Sequence, residues 1–280
     1  TIKTMQGIIT DELGEGKKES MEEIKQLRTN VLKQRDLIIR VLKKGKQLEE
    51  FPYYTIALSL WGVTRNYYHM YKEVEELEEA GLDRVNISLD TLNHSTYEDI
   101  TGKDVLDDVL AGIEASVESD FYPVKLNTIV LDGINDGQNI ESLIEYSVDT
   151  EAILQLIEFE EVLPENEQSY QEYHKDLDPI EERIRERAED VDTRWMMQAR
   201  RKYQVDGGEV EVVNPMHNSE FCEYCTRLRM TSGGFLKPCL MRNDNLVDVL
   251  SPVRDKDYDK VRKSYEKAIS RREPHFKKDE

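Results

Sequence analysis

Cys222, Cys225 and Cys239 fall within 18 residues of a 280-residue chain and are its only cysteines. An odd count excludes a closed disulfide framework, and thiols clustered this tightly point to a metal. Cys222 and Cys225 have a two-residue spacer, at which two thiolates can grip one centre, and a hairpin can bring Cys239 beside them. Two centres suit such a set. One is a [4Fe–4S] cluster with one iron left open to a non-protein ligand, because cluster irons are held by thiolates. The other is a zinc site completed by a histidine such as His217, five residues before Cys222. Three free buried thiols are the plain alternative. Arg227 and Arg229 follow at once, and an extended segment puts both guanidinium forks on one side. Such forks suit phosphate. Pairing with surface carboxylates explains them equally well.

Two strands further up the chain carry polar residues. Asn86, Ser88 and Asp90 share one face of the first, and Lys125 and Asn127 share one face of the second. A parallel strand buried on both faces is normally almost all Val, Ile and Leu. A barrel whose lumen is an active site accounts for the exception, since ligands gather at the carboxyl ends of such strands. A solvent-facing sheet edge accounts for it too.

Regular elements must position these groups. Val74 and Leu77 lie on one face of a helix that closes at Gly81. Val85, Ile87 and Leu89 alternate as a strand. Leu106, Val109, Leu110, Ile113 and Val117 mark the buried face of a helix, and a strand follows over 124–131. A helix over 140–148 and a strand over 153–159 continue the rhythm. Alternation of this kind predicts right-handed βαβ units and a parallel sheet or barrel. The acidic stretch 165–189 holds a helix from Pro179. Residues 200–213 read as a hairpin turning at Gly207-Gly208, and a second hairpin surrounds Gly233-Gly234. A last helix covers 258–269. Ahead of all this, Ile24, Leu27, Val31, Ile38 and Val41 predict an amphipathic helix, and 51–60 reads as a strand. That first segment carries no chemistry and reads as a cap or an arm.

Composition narrows the partners. Against 38 Lys and Arg stand 58 Asp and Glu, a formal net charge of −20. That argues against general nucleic-acid or anionic-membrane binding. An anionic small molecule remains possible where a few Arg and Lys converge. No apolar run approaches the ~18–20 residues that span a bilayer. Thr1 to Met5 has no apolar signal core, and a cytoplasmic location is the expectation.

A family resemblance now emerges. Arg84-Val85-Asn86-Ile87-Ser88-Leu89-Asp90-Thr91-Leu92, Pro123-Val124-Lys125-Leu126-Asn127, Gly133-Ile134-Asn135-Asp136 and Ile157-Glu158-Phe159 occur in order before the cysteine segment, which ends Pro238-Cys239-Leu240. Together they resemble the GTP 3′,8-cyclases, radical S-adenosylmethionine enzymes (lyases) of molybdenum cofactor biosynthesis. The resemblance runs from about Glu73 to Leu250. It implies an α/β fold, an incomplete (β/α) TIM-like barrel closed by a C-terminal iron–sulfur extension. It implies a [4Fe–4S] cluster on Cys222, Cys225 and Cys239 whose open iron meets the guanine of GTP. It implies GTP contacts from Lys125, Arg227 and Arg229, and Ser88 and Asn127 on the S-adenosylmethionine side. The expected layout is an N-terminal helical segment over 1–62, a partial barrel over 63–195 and a cluster and GTP-binding extension over 196–280. A homodimer is a possible assembly, and the family's product passes to cyclic pyranopterin monophosphate synthase.

The departures are specific. No cysteine precedes Cys222, so the family's N-terminal CxxxCxxC, which holds the cluster that cleaves S-adenosylmethionine, has no counterpart in these 280 residues. The Gly-Gly-Glu-Pro motif is absent, Ser59-Leu60-Trp61-Gly62 replaces Thr-Thr-Asn-Gly, and Gln155 stands where many members have arginine. The expectation is therefore a chain that does not complete the cyclisation alone. A nucleotide-binding [4Fe–4S] module and a zinc-stabilised interaction protein are the alternatives. The sheet is expected to be partly open with an exposed edge.

Overall fold

The computed structural model describes residues 58–59, 74, 77–78, 81–161 and 167–277. The helix expected over 21–42 lies outside these residues, and the strand expected over 51–60 is described only at Leu58–Ser59.

Seven strands form one sheet in the order β1-β2-β3-β4-β7-β6-β5. Strands β1 (Leu58–Ser59), β2 (Val85–Ser88), β3 (Val124–Val130), β4 (Ile153–Glu158) and β7 (Gly208–Val213) pair in parallel. Strands β6 (Arg200–Val205) and β5 (Asp190–Arg194) add antiparallel to the far side of β7. Helices α1 (His94–Thr101), α2 (Leu106–Val117) and α3 (Gln138–Asp149) connect the parallel strands, and α4 (Glu167–Tyr173) and α5 (Asp178–Arg187) follow β4. This is the α/β fold that the alternating pattern predicts.

Strand alternation sorts the side chains onto two faces. Val85, Ile87, Leu126, Val130, Leu154, Leu156, Val210 and Val212 belong to one core with Leu106, Val109, Ile113, Ile140, Leu143 and Ile144 of the helices. All of these residues are buried. The intervening positions, Asn86, Ser88, Lys125, Asn127, Gln155 and Glu211, align across the sheet by register and face the other way. One face is thus packed by helices and the other is polar.

Three elements depart from the sequence pattern. Helix α1 is unannounced because it buries only Tyr97; its start is fixed by Asn93, whose Oδ1 accepts from the Thr96 N–H at 3.0 Å, and it ends at Gly102 with φ 77°. Strand β5 is the charged run Asp190 to Arg194, with no apolar alternation to reveal it. The hairpin over 200–213 forms as expected, but β7 also pairs with β4, so the hairpin is part of the main sheet. The boundary expected after residue 195 therefore falls between β5 and β6 of one continuous sheet.

A second sheet of β8 (Arg229–Met230), β9 (Phe235–Lys237) and β10 (Val247–Asp248) carries the small core Leu236, Val247, Val249 and Ala268. Helices α7 (Leu250–Arg254) and α8 (Tyr258–Ser270) pack beside it. The β8–β9 turn needs glycine at 234: φ is 77°, and a Cβ there would lie 2.4 Å from Leu250 Cβ.

Candidate cluster and anion site

Glu211 is the centre of the polar face. It is fully buried, and it is approached from four strands. Lys125 Nζ of β3 donates to its Oε1. Arg194 of β5 donates to the same oxygen at 2.7 Å, and Gln155 Nε2 of β4 donates to Oε2 at 2.8 Å. A guanidinium nitrogen of Arg200, on β6, lies 3.7 Å from Oε2. The register explains the convergence: Glu211 sits opposite Gln155, and Arg194 opposite Arg200.

Electrostatics follow from this packing. Burial pushes the Glu211 carboxyl up, but Lys125, Arg200 and Arg194 outweigh it and the net displacement is downward. Burial lowers the Lys125 ammonium, with Glu211 opposing and the two arginines assisting. Arg200 falls to about 10, chiefly through burial, against the pull of Glu211.

Of the two residues expected on the S-adenosylmethionine side, Ser88 lies opposite Asn127 in the β2–β3 register. Asn127 Oδ1 is buried without a hydrogen-bond partner. A buried amide oxygen left unpaired is costly, and a donor brought by a ligand would satisfy it.

The three cysteines line one hollow, together with Arg229, Gln198 and Glu160. Cys222 lies on the short helix α6 (Ser219–Glu223), which Asn218 caps by accepting from the Phe221 N–H at 2.9 Å. Cys225 follows it, and Cys239 comes just after β9. The loop is docked on the sheet at three points. Glu158, at the end of β4, accepts the Met216 N–H at 2.8 Å. The Gln198 N–H donates to the Tyr224 carbonyl at 3.0 Å, and Thr226 Oγ1 donates to the Met196 carbonyl at 2.6 Å. Gln198 Nε2 is 3.8 Å from Cys225 Sγ. From the other side, Arg272, Pro274, His275 and Phe276 close the wall.

Among the described residues, no three His, Cys, Asp or Glu side chains converge closely enough to share one metal ion. His217, the example given for a zinc site, packs its ring on Phe276 at 4.8 Å and does not line the hollow, whereas His275 does. Arg227 is close enough to feel Arg229, Cys225, Arg194 and Glu211 electrostatically.

Asp90 ends the polar row of β2. Its Oδ1 accepts the Ile129 N–H at 2.8 Å, yet enclosure of the carboxyl pushes its pKa from the usual 3.8 up to about 6, with that hydrogen bond opposing. The folded state therefore holds this proton more tightly than the unfolded chain does. Its contribution to stability is greatest below pH 4 and falls as pH rises through about 6. Asp90→Asn keeps an acceptor for Ile129 and removes the titration. It is expected to abolish this fall and to raise stability at pH 7 by about 2–3 kcal/mol. Urea unfolding of both proteins between pH 4 and 8 measures it, and parallel curves would refute it.

The cysteines, Lys125 and both arginines of the CxxCxRxR segment stand out in the sequence as candidates. Glu211, Arg194, Arg200 and Gln198 carry no such signal there.

The mainly parallel α/β sheet goes with a match of residues 10–146 to the Radical SAM superfamily. That match takes in most of the N-terminal segment in which the sequence alone offered no motif. Residues 152–278 match Molybdenum Cofactor Synthesis C. A probable GTP 3′,8-cyclase of Methanothermobacter thermautotrophicus is 46% identical over 200 residues, which cover 71% of this chain and 65% of that protein. One of Pyrococcus abyssi is 47% identical over 231 residues, covering 80% and 73%. One of Methanococcus aeolicus is 42% identical over 242 residues, covering 86% and 75%. The chain belongs to the GTP 3′,8-cyclase family, within molybdenum cofactor biosynthesis. It spans about two thirds to three quarters of the length of these relatives. Among the described residues no helix is long and apolar enough to cross a membrane.

Proposed function

We propose that this chain binds GTP and one [4Fe–4S] cluster in a GTP 3′,8-cyclase, the lyase that converts GTP to the cyclic precursor of molybdopterin. One observation carries the reading. Three thiols and Arg229 share one hollow, and Arg227 links it electrostatically to the cations around Glu211. That combination fits a nucleotide held at both ends. Cys222, Cys225 and Cys239 would hold the cluster. When bound, it would supply one iron free to accept a lone pair from the purine. Arg227, Arg229 and Lys125 would orient the phosphates, because fixed guanidinium forks bind phosphate oxygens in pairs. Ser88 and Asn127 would face S-adenosylmethionine, with Asn127 Oδ1 as an acceptor in waiting.

The chain does not complete the reaction alone. Its three cysteines suffice for one three-thiolate centre, and the chemistry that begins with S-adenosylmethionine needs another. A nucleotide-binding iron–sulfur module is accordingly the state of the isolated chain. Its product in a complete system would pass to cyclic pyranopterin monophosphate synthase.

Anaerobic reconstitution followed by metal and sulfide analysis tests this directly. The expected result is about four irons and four sulfides per chain, with an electron paramagnetic resonance spectrum that shifts when GTP is added. About one zinc and no sulfide would overturn it. So would cyclised product from this chain, S-adenosylmethionine and reductant, as regards the claim of inactivity.

A further inference from the structure

We propose that Arg194 and Arg200 complete, with Lys125, a polyphosphate-binding site on the polar face of the sheet, and that Glu211 is the internal counter-ion that fixes these three heads in place. The inference rests on the reading of GTP as ligand and names residues that the cysteine segment does not contain.

The argument is one of unequal pairing. The chain carries a surplus of carboxylates, and other cations of the described residues have at least one each: Arg185, Lys202, Lys260 and Arg262 have one apiece, and four more have two. Arg187 reaches both Glu141 and Asp206. Arg242 reaches Asp244 and Glu273. Lys175 reaches Asp132 and Asp136, and Arg201 reaches Glu181 and Glu220. Around Glu211 the ratio is inverted: among the described residues, Lys125, Arg194 and Arg200 share a single carboxylate. Arg227 adds a like charge to Arg200 rather than a counter-charge.

Burying positive charge without compensation is expensive. In a chain of net charge −20 the shortage is local, and Arg227, two residues past Cys225, adds its positive charge within electrostatic reach of Arg194 and Glu211. An anion carrying several charges would relieve it. Access is graded. The Arg194 side chain retains 22% of its surface and Lys125 12%, whereas Arg200 retains 7%. Arg194 and Lys125 would therefore touch the anion. Arg200, braced by donation from Nε to the Met197 carbonyl at 3.2 Å, would contribute from behind. Glu211 cannot itself be the ligand's acceptor of choice, since its oxygens are already taken. It acts as a positioning residue.

The test titrates inorganic tripolyphosphate, guanosine and GTP into the cluster-reconstituted full chain and its Arg194→Gln and Arg194→Lys variants. Arg194→Gln is expected to weaken tripolyphosphate and GTP binding tenfold or more and to leave guanosine binding unchanged. Arg194→Lys is expected to recover part of the loss. Thermal unfolding confirms that each variant is folded. Equal tripolyphosphate affinity in wild type and Arg194→Gln would overturn the inference while leaving GTP binding intact. Failure of GTP and guanosine to bind wild type, with tripolyphosphate still bound through Arg194, would instead overturn the proposed nucleotide ligand.

Discussion

Glu211→Ala is expected to lower the free energy of unfolding by about 3–5 kcal/mol, a large share of the ~5–15 kcal/mol that holds a domain together. The lost carboxylate accepts hydrogen bonds from Lys125, Arg194 and Gln155. Removing it deprives the Lys125 ammonium, the Gln155 amide and one guanidinium nitrogen of Arg194 of the acceptor they share, leaving Arg194 its contact with the Met197 sulfur. Lys125 can retreat by losing its proton, because an ammonium is easily shifted by burial, but the guanidinium groups cannot. Urea unfolding at pH 7 measures the loss, and a change below about 1 kcal/mol would refute this account. The net pKa of Glu211 lies below its usual 4.5, so its contribution is present above that value and fades as the folded carboxylate protonates in acid. Wild-type stability should therefore drop below pH 4.5 in a step that Glu211→Ala lacks.

Serine in place of Cys222, Cys225 or Cys239 should abolish assembly of the centre, taking iron from about four per chain to below about one after reconstitution. Each thiol lies on a different support: α6, the loop after it, and the segment behind β9. A missing thiolate cannot be replaced from a neighbour, because the chain has no fourth cysteine. The small C-terminal core has four buried residues, too few to be rigid without help. Loss of the centre should therefore speed proteolysis between residues 219 and 240 as well. Retained iron in all three variants would show that the metal sits elsewhere.

Much of the main sheet was legible in the sequence because its strands are apolar on one side and its helices have clear stripes. Val124 to Val130 alternates cleanly, and Leu106, Val109 and Ile113 mark a helix without ambiguity. The cysteines announced themselves by spacing. Glu211 did not, for a physical reason. It lies in Gly208–Val213, where Glu209, Val210, Glu211 and Val212 read as an ordinary half-exposed hairpin strand. Such a pattern places acids in solvent. Only parallel pairing with β4 buries this one, and pairing between distant strands leaves no local trace. Arg194 was hidden the same way, at the end of a strand with no apolar periodicity.

The sheet also has a consequence for how the chain could be divided. The two family matches meet between residues 146 and 152, a point that looks like a natural joint for exchanging halves between relatives. It takes in the last turn of α3 and the residues up to β4, and β4 is the strand that carries the sheet onward. Every cut there separates Lys125 from Gln155, Arg194 and Glu211, which sit on opposite sides of the join. A chimaera built at this seam inherits a β3–β4 register in which Lys125 must still meet residue 153 and Asn127 residue 155. The halves are consequently not interchangeable parts: whichever relative supplies the second half also supplies the counter-ion for the lysine of the first.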